Sequence, residues 1–183
     1  EIRLSLVGSE MCIRDRDLKE IREQISIYKR WRHTMQYGRF YRQRTGNIHQ
    51  WTVAEEDGSR AVGLIMQELA EPNTQRENYN AAGLLDDELY HIYNRNLRYN
   101  VKEFGDLINT AAPVHIRQGS ILHNVVAKFV TMPGEIEDYE LYGDTLMNSG
   151  IRLKQAFAAT GFSDEVRHFP DFASRLYFIE KKQ

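Results

Sequence analysis

From Asp17 the apolar positions Leu18, Ile21, Ile25, Tyr28 and Trp31 recur at steps of three and four, which puts them on one side of a helix. Asp17 suits the N-cap, Lys19 and Glu23 form an i,i+4 pair, and the helix is predicted to run to about Met35 and stop near Gly38. Such a stripe needs a surface to pack on. Beyond Gly38 the period falls to two. Arg39–Arg42, His49–Val53 and Ala61–Met66 read as strands. Between the last two lies Glu55-Glu56-Asp57-Gly58-Ser59, and Asp-Gly favours a type I′ hairpin turn, in which both central residues take φ > 0.

The middle of the chain is less regular. Pro72-Asn73 breaks it, and Leu89–Tyr93 is a strand preceded by the acidic turn Asp86-Asp87-Glu88. Val101–Ile108 suits one or two helical turns. Ile121, Leu122, Val125, Val126 and Phe129 fit a helical spacing, yet the run is β-branched enough for a strand. Pro133-Gly134 reads as a turn. Tyr139–Leu146 and Ile151–Phe157 read as strands around Asn148-Ser149-Gly150, and Arg175–Ile179 as the final strand. One helix followed by a mostly antiparallel sheet predicts a mainly β chain, a β-sandwich rather than a βαβ fold.

Composition bounds the function. The 183 residues are 42% hydrophobic and 27% charged with a net charge of −2, the balance of a folding globular chain. A single Cys excludes an internal disulfide and a Cys-rich zinc site. No apolar run is long enough for a transmembrane helix, so no membrane partner is expected. Between Glu23 and Glu55 no acid occurs. Lys29, Arg30, Arg32, Arg39, Arg42 and Arg44 alternate there with Tyr28, Trp31, Tyr37, Phe40 and Tyr41. That mixture resembles a single-strand nucleic-acid surface, but a near-neutral chain argues for an internal face instead, neutralised by Glu135, Glu137, Asp138 and Glu140. No nucleic-acid partner is expected. Glu55-Glu56-Asp57 and Asp86-Asp87-Glu88 are turn carboxylates, solvated rather than catalytic. His33, His49, His91, His115, His123 and His168 show no metal-ligand spacing, and no nucleotide loop or GxSxG elbow is present. Asp144 and Asn148 are read as polar turn residues, Gly143 and Gly150 as backbone-geometry positions.

Residues 1–16, EIRLSLVGSEMCIRDR, lack cap or turn logic. They resemble the conceptual translation of a transposase-based sequencing adapter. That implies foreign codons fused to a truncated gene, and these residues are set aside from the fold. Cys12 falls in this part.

Several segments carry a further resemblance. Val130-Thr131-Met132-Pro133-Gly134-Glu135 leads to Leu141-Tyr142-Gly143-Asp144-Thr145-Leu146-Met147-Asn148-Ser149-Gly150-Ile151, then Arg167-His168-Phe169-Pro170-Asp171-Phe172-Ala173-Ser174-Arg175-Leu176-Tyr177-Phe178. Upstream, Ile21–Phe40 and Trp51-Thr52-Val53-Ala54 follow the same order. Together they resemble the C-terminal region of bacterial α-galactosidases of glycoside hydrolase family 36. The resemblance implies that residues 17–36 are the last helix of a truncated (β/α)₈ barrel and residues 37–183 a C-terminal antiparallel β-sandwich. It implies a parent enzyme that hydrolyses terminal α-galactosides such as melibiose and raffinose with retention, using two Asp residues on barrel strands. Neither catalytic segment occurs in this chain, so no catalytic, cofactor-binding or metal residue is assigned, and no cofactor is expected. The expected partner is the rest of the parent enzyme, which binds the substrate. By resemblance the parent is a bacterial cytoplasmic homo-oligomer. The alternative from the residues alone is a non-catalytic carbohydrate-binding or interaction sandwich using Trp31 or Trp51.

Overall fold

In the computed structural model of the chain, residues 15–69, 78–95, 98–100, 117, 120, 131–133, 135–154 and 171–182 are described. The expectations for Pro72-Asn73, Val101–Ile108 and Ile121–Phe129 lie outside these residues, as does Gly134 of the Pro133-Gly134 turn. Helix α1 (Asp15–Tyr37) starts two residues earlier than expected, so Asp17 sits in its first turn and not at the cap. It stops at Gly38, whose N–H donates to Thr34 O at 2.9 Å.

Strands β1 (Arg39–Thr45) and β2 (Ile48–Ala54) form a hairpin through Gly46-Asn47. Strand β3 (Arg60–Gln67) pairs with β2 in the expected second hairpin, with Ala54 opposite Ala61. Its turn differs from type I′. Gly58 has φ 68, but Asp57 does not, because among the described non-glycine residues only Phe172 has positive φ. The Asp57 carboxylate accepts hydrogen bonds from Ser59 N–H (2.9 Å) and Ser59 Oγ (2.7 Å). That local Asx geometry replaces the mirror-image turn.

The remaining elements are β4 (Asn78–Tyr79), β5 (Leu89–Asn94), β6 (Arg98–Asn100), β7 (Thr131–Pro133), β8 (Asp138–Tyr142), helix α2 (Gly143–Asn148), β9 (Ile151–Arg152) and β10 (Ser174–Lys181). The expected strand Tyr139–Leu146 therefore ends at Tyr142. Gly143 N–H donates to Glu88 O at 2.9 Å and Asp144 N–H to Asp86 O at 3.1 Å, and the helical turn swings Leu146 fully into the core. Of the expected strand Ile151–Phe157, Ile151–Arg152 is strand, and residues 155–157 lie outside the described part. Pro133 is the last residue of β7.

A six-stranded antiparallel sheet has the order β1-β2-β3-β10-β5-β8, with β4-β9 and β6-β7 as separate pairs. The mainly β, antiparallel architecture is as the sequence predicted. The inner face of the sheet carries Ala61, Ile65, Tyr90, Ile92, Tyr177 and Ile179, covered by Tyr79, Leu84, Leu146 and Ile151. The outer face carries Val62 and Phe178, covered by Trp31 of α1.

Tyr79 lies across the inner face. Its ring stacks on Tyr177 at 4.7 Å, and its hydroxyl bonds Thr52 Oγ1 at 2.8 Å. The hydroxyl occupies the space in which a side chain at residue 63 would lie, so only glycine fits there. Replacing Gly63 with Ala should lower unfolding free energy by about 1–3 kcal/mol through overpacking, read as a reduced urea midpoint at unchanged m-value.

Candidate interaction face

Helix α1 reaches the sheet through one indole. Trp31 is 1% exposed and stacks on Phe178 with ring centroids 5.0 Å apart. The Arg60 guanidinium lies 4.2 Å from the Trp31 ring centroid on a cation–π contact. Glu180 joins the clamp, 2.6 Å from Arg30 Nη2 and 3.3 Å from Arg60 Nη2. One turn further on, buried Thr34 donates from Oγ1 to Glu55 Oε1 at 2.5 Å.

The predicted single stripe is thus two. Ile27, Trp31 and Thr34 face the chain's own sheet. Leu18, Ile21, Ile25 and Tyr28 point elsewhere, 37%, 41%, 47% and 50% exposed. At 3.6 residues per turn the two groups lie roughly a third of a turn apart. The exposed row is an apolar patch along about three turns of a helix held in place from the other side. Sequence spacing found the patch but assigned Trp31 to it. Ile27, Thr34, Arg60 and Glu180 were not singled out, because their pairing joins distant parts of the chain.

The other candidate residues do not converge. Two cations of the basic stretch are paired, but not with the expected acids: Arg30 pairs with Glu180, and Arg44 with Glu68 at 3.3 Å. Asp138 instead meets His91 at 2.8 Å, and Glu140 meets Lys182 at 2.5 Å. Those acids lie on the far edge of the sheet from β1, which linear sequence does not reveal. Glu55 accepts from Thr34 and Ser59, and Glu88 pairs with Lys181 at 2.8 Å. Ser59 hydrogen bonds hold the Asp57 carboxyl below its ordinary range. Glu56, Asp86, Asp87, Asp144 and Asn148 are exposed at turns or on α2. His49 bonds Glu68 at 2.7 Å, while His33 lies 3.8 Å from Glu55. His115, His123 and His168 lie outside the described residues. Among the described residues no three His, Cys, Asp or Glu groups are placed to hold a metal, and no helix is long and apolar enough to cross a membrane. Gly143 is buried at the start of α2 and Gly150 takes φ 69, so both serve the backbone.

One carboxylate is fully buried. Glu137 accepts from Arg175 Nη1 at 2.8 Å and from Lys154 N–H through Oε1, and from Tyr177 OH at 2.6 Å through Oε2. Asn94 clasps the same connector, accepting from Glu137 N–H at 2.9 Å and donating to Glu135 O at 2.8 Å. Both oxygens of Glu137 are thus occupied by the protein itself, which makes the cluster a strand connector. Burial, then the Glu137 charge and its hydrogen bond, push the Tyr177 hydroxyl well above its ordinary pKa. Burial does the same to Tyr79.

No curated protein matches the chain. The family model of the glycosyl hydrolase family 36 C-terminal domain matches residues 48–179. Among solved structures, the α-galactosidase from Lactobacillus brevis superposes with a TM-score of 0.57 at 21% identity, covering 94% of this chain and 18% of that one. The family 36 α-galactosidase AgaB from Geobacillus stearothermophilus gives 0.56 at 19%, covering 94% and 17%. A variant of AgaA from the same organism, in complex with raffinose, gives 0.54 at 18% with the same coverage. At these identities the likeness is one of fold, and the chain spans less than a fifth of the length of these enzymes.

Replacing Trp31 with Ala should cost about 3–5 kcal/mol and free α1 from the sheet. Amide exchange should then accelerate across residues 18–37 while the strands around Glu137 keep their protection. Alkaline stability follows from the two tyrosines. Unfolded, each ionises near 10.0, whereas in the fold each stays neutral to higher pH. Their contribution is fully present below that value. Above it stability should fall by about 1.4 kcal/mol per pH unit for each tyrosine, measurable by urea titration at successive pH values.

Proposed function

This chain belongs to the glycosyl hydrolase family 36 C-terminal domain family, and from that premise we propose that it is the C-terminal structural part of a retaining α-galactosidase. In this reading residues 17–36 are the last helix of the parent's (β/α)₈ barrel, residues 37–183 the β-sandwich behind it, and residues 1–16 adapter-derived. The observation that carries the reading is the division of α1. One face is locked onto the sheet by Trp31, and the other offers Leu18, Ile21, Ile25 and Tyr28 to a second surface. An outer barrel helix needs that geometry, since its inner row packs on the barrel strands. Two carboxylates elsewhere in the parent would perform the hydrolysis of terminal α-galactosides such as melibiose and raffinose, with water and no cofactor. Glu55, Glu88 and Glu137 are committed to structural partners, while Glu56, Asp86 and Asp87 are exposed in turns. We assign the parent to the bacterial cytoplasm as a homo-oligomer on the family resemblance.

The reading is tested with the purified chain and a chromogenic α-galactoside. No turnover above buffer is expected, and measurable hydrolysis would refute the claim that the catalytic pair lies elsewhere. In the same preparation raffinose should leave tryptophan fluorescence unchanged, because Trp31 is buried between Phe178 and Arg60. Saturable quenching would favour a sugar-binding module at Trp51 instead.

A further inference from the structure

The two ends of the six-stranded sheet differ in charge. At one end, β1 (Arg39–Thr45) carries three arginines and no acid, and every residue but Tyr41 is exposed. At the other, β8 (Asp138–Tyr142) carries Asp138 and Glu140 and no base, with Asp138, Glu140 and Tyr142 exposed. Among the described residues no strand pairs with the outer edge of either. Open edges are templates for another strand.

We propose that these two edges fit one another, so that a second copy of this chain adds its β8 to β1 and continues the sheet head to tail. The topology allows it directly. Every neighbour pair in the order β1-β2-β3-β10-β5-β8 is antiparallel and the count is even. The two edge strands therefore run in opposite directions, and a copy placed alongside without inversion presents an antiparallel partner. Its faces also match. Tyr41 on β1, and Tyr139 and Leu141 on β8, all pack on the inner core. By strand alternation Phe40, Arg42 and Arg44 share the outer face with Asp138, Glu140 and Tyr142.

One register satisfies the side chains on both faces. With Arg42 opposite Glu140, Arg44 falls opposite Asp138 and Phe40 opposite Tyr142 on the outer face, while Tyr41 falls opposite Leu141 on the inner one. Opposite charges and aromatic pairs directly across a strand pair are favourable. Like edges are not: β1 against β1 opposes arginines, and β8 against β8 opposes carboxylates. The present partners of these charges are surface contacts. They are Glu68 and Gly46 O for Arg44, His91 for Asp138, and Lys182 for Glu140. Exposed ion pairs of this kind exchange at little cost. The interface is heterologous, so it grows into a chain of copies unless its rotation closes a ring.

Sedimentation equilibrium of the whole chain tests this. The mass should rise above the monomer's 21.4 kDa with concentration and fall back in high salt. Arg42→Glu makes both edges acidic at the contact, and Glu140→Arg makes both basic. Each exposed substitution should leave the circular dichroism spectrum unchanged and weaken self-association about tenfold or more. Mixing the two variants should restore association with the copies in alternation, because every contact between unlike copies again sets an acid opposite a base. A chain that stays monomeric to millimolar concentration overturns the proposal. So does association that both substitutions leave intact, the behaviour expected if the exposed row on α1 were responsible.

Discussion

Trp31 lies between the Phe178 ring and the Arg60 guanidinium, and the position of α1 follows from that contact. Burying an indole removes on the order of 150–250 Å² from water, worth about 4–6 kcal/mol as an upper value. The neighbouring Arg30–Glu180 pair has more than half of its arginine exposed and contributes about 1 kcal/mol at most. The aromatic contact therefore fixes the helix, and the ion pairs orient it. With the helix so held, its far side has no freedom to turn inward. Leu18, Ile21, Ile25 and Tyr28 remain at the surface of this chain as a consequence of where Trp31 is pinned.

The inner face uses a different device. Glu137, Arg175 and Tyr177 put a charged pair where hydrocarbon would pack. A buried pair of this kind adds little net stability, because desolvation offsets its attraction. What it supplies is position. Arg175 also donates to Lys154 O at 2.5 Å, so β10 and the segments around Glu137 and Lys154 converge on one carboxylate. Asn94 brings in β5 as well. A shifted register would leave that charge unpaired, which costs far more than the pair contributes.

Local pattern carried much of the fold. The period of α1, the alternation of β2, β3, β5 and β10, and the hairpin between Ala54 and Ala61 were legible because each depends on neighbours in the chain. Three features were not. The turn at Asp57 follows a side-chain hydrogen bond rather than the dipeptide preference. Helix α2 replaces a strand end because backbone bonds to Glu88 and Asp86 turn the chain at Gly143. The partners of the basic stretch come from Glu180 and Glu68, since pairing across a sheet is set by strand order, which sequence alone does not contain. The site showed the same limit. The apolar row on α1 was visible in its spacing, but its separation from Trp31 depends on Phe178, some 150 positions away in the chain, like the Arg30–Glu180 pair.

A protein domain is ordinarily delimited by a position in the chain, and here that convention fails along α1. The matched family region opens at residue 48, yet the helix before it contributes an indole to one of the two hydrophobic clusters. If the opposite flank belongs to a barrel, the frontier between the two bodies runs lengthwise down a single helix. Any cut made across the backbone, wherever it is drawn, then strips a wall from one body or leaves a foreign wall on the other. Dissecting such a protein calls for choosing which body keeps the shared helix, and surface residues on its orphaned flank would have to be redesigned as part of the cut.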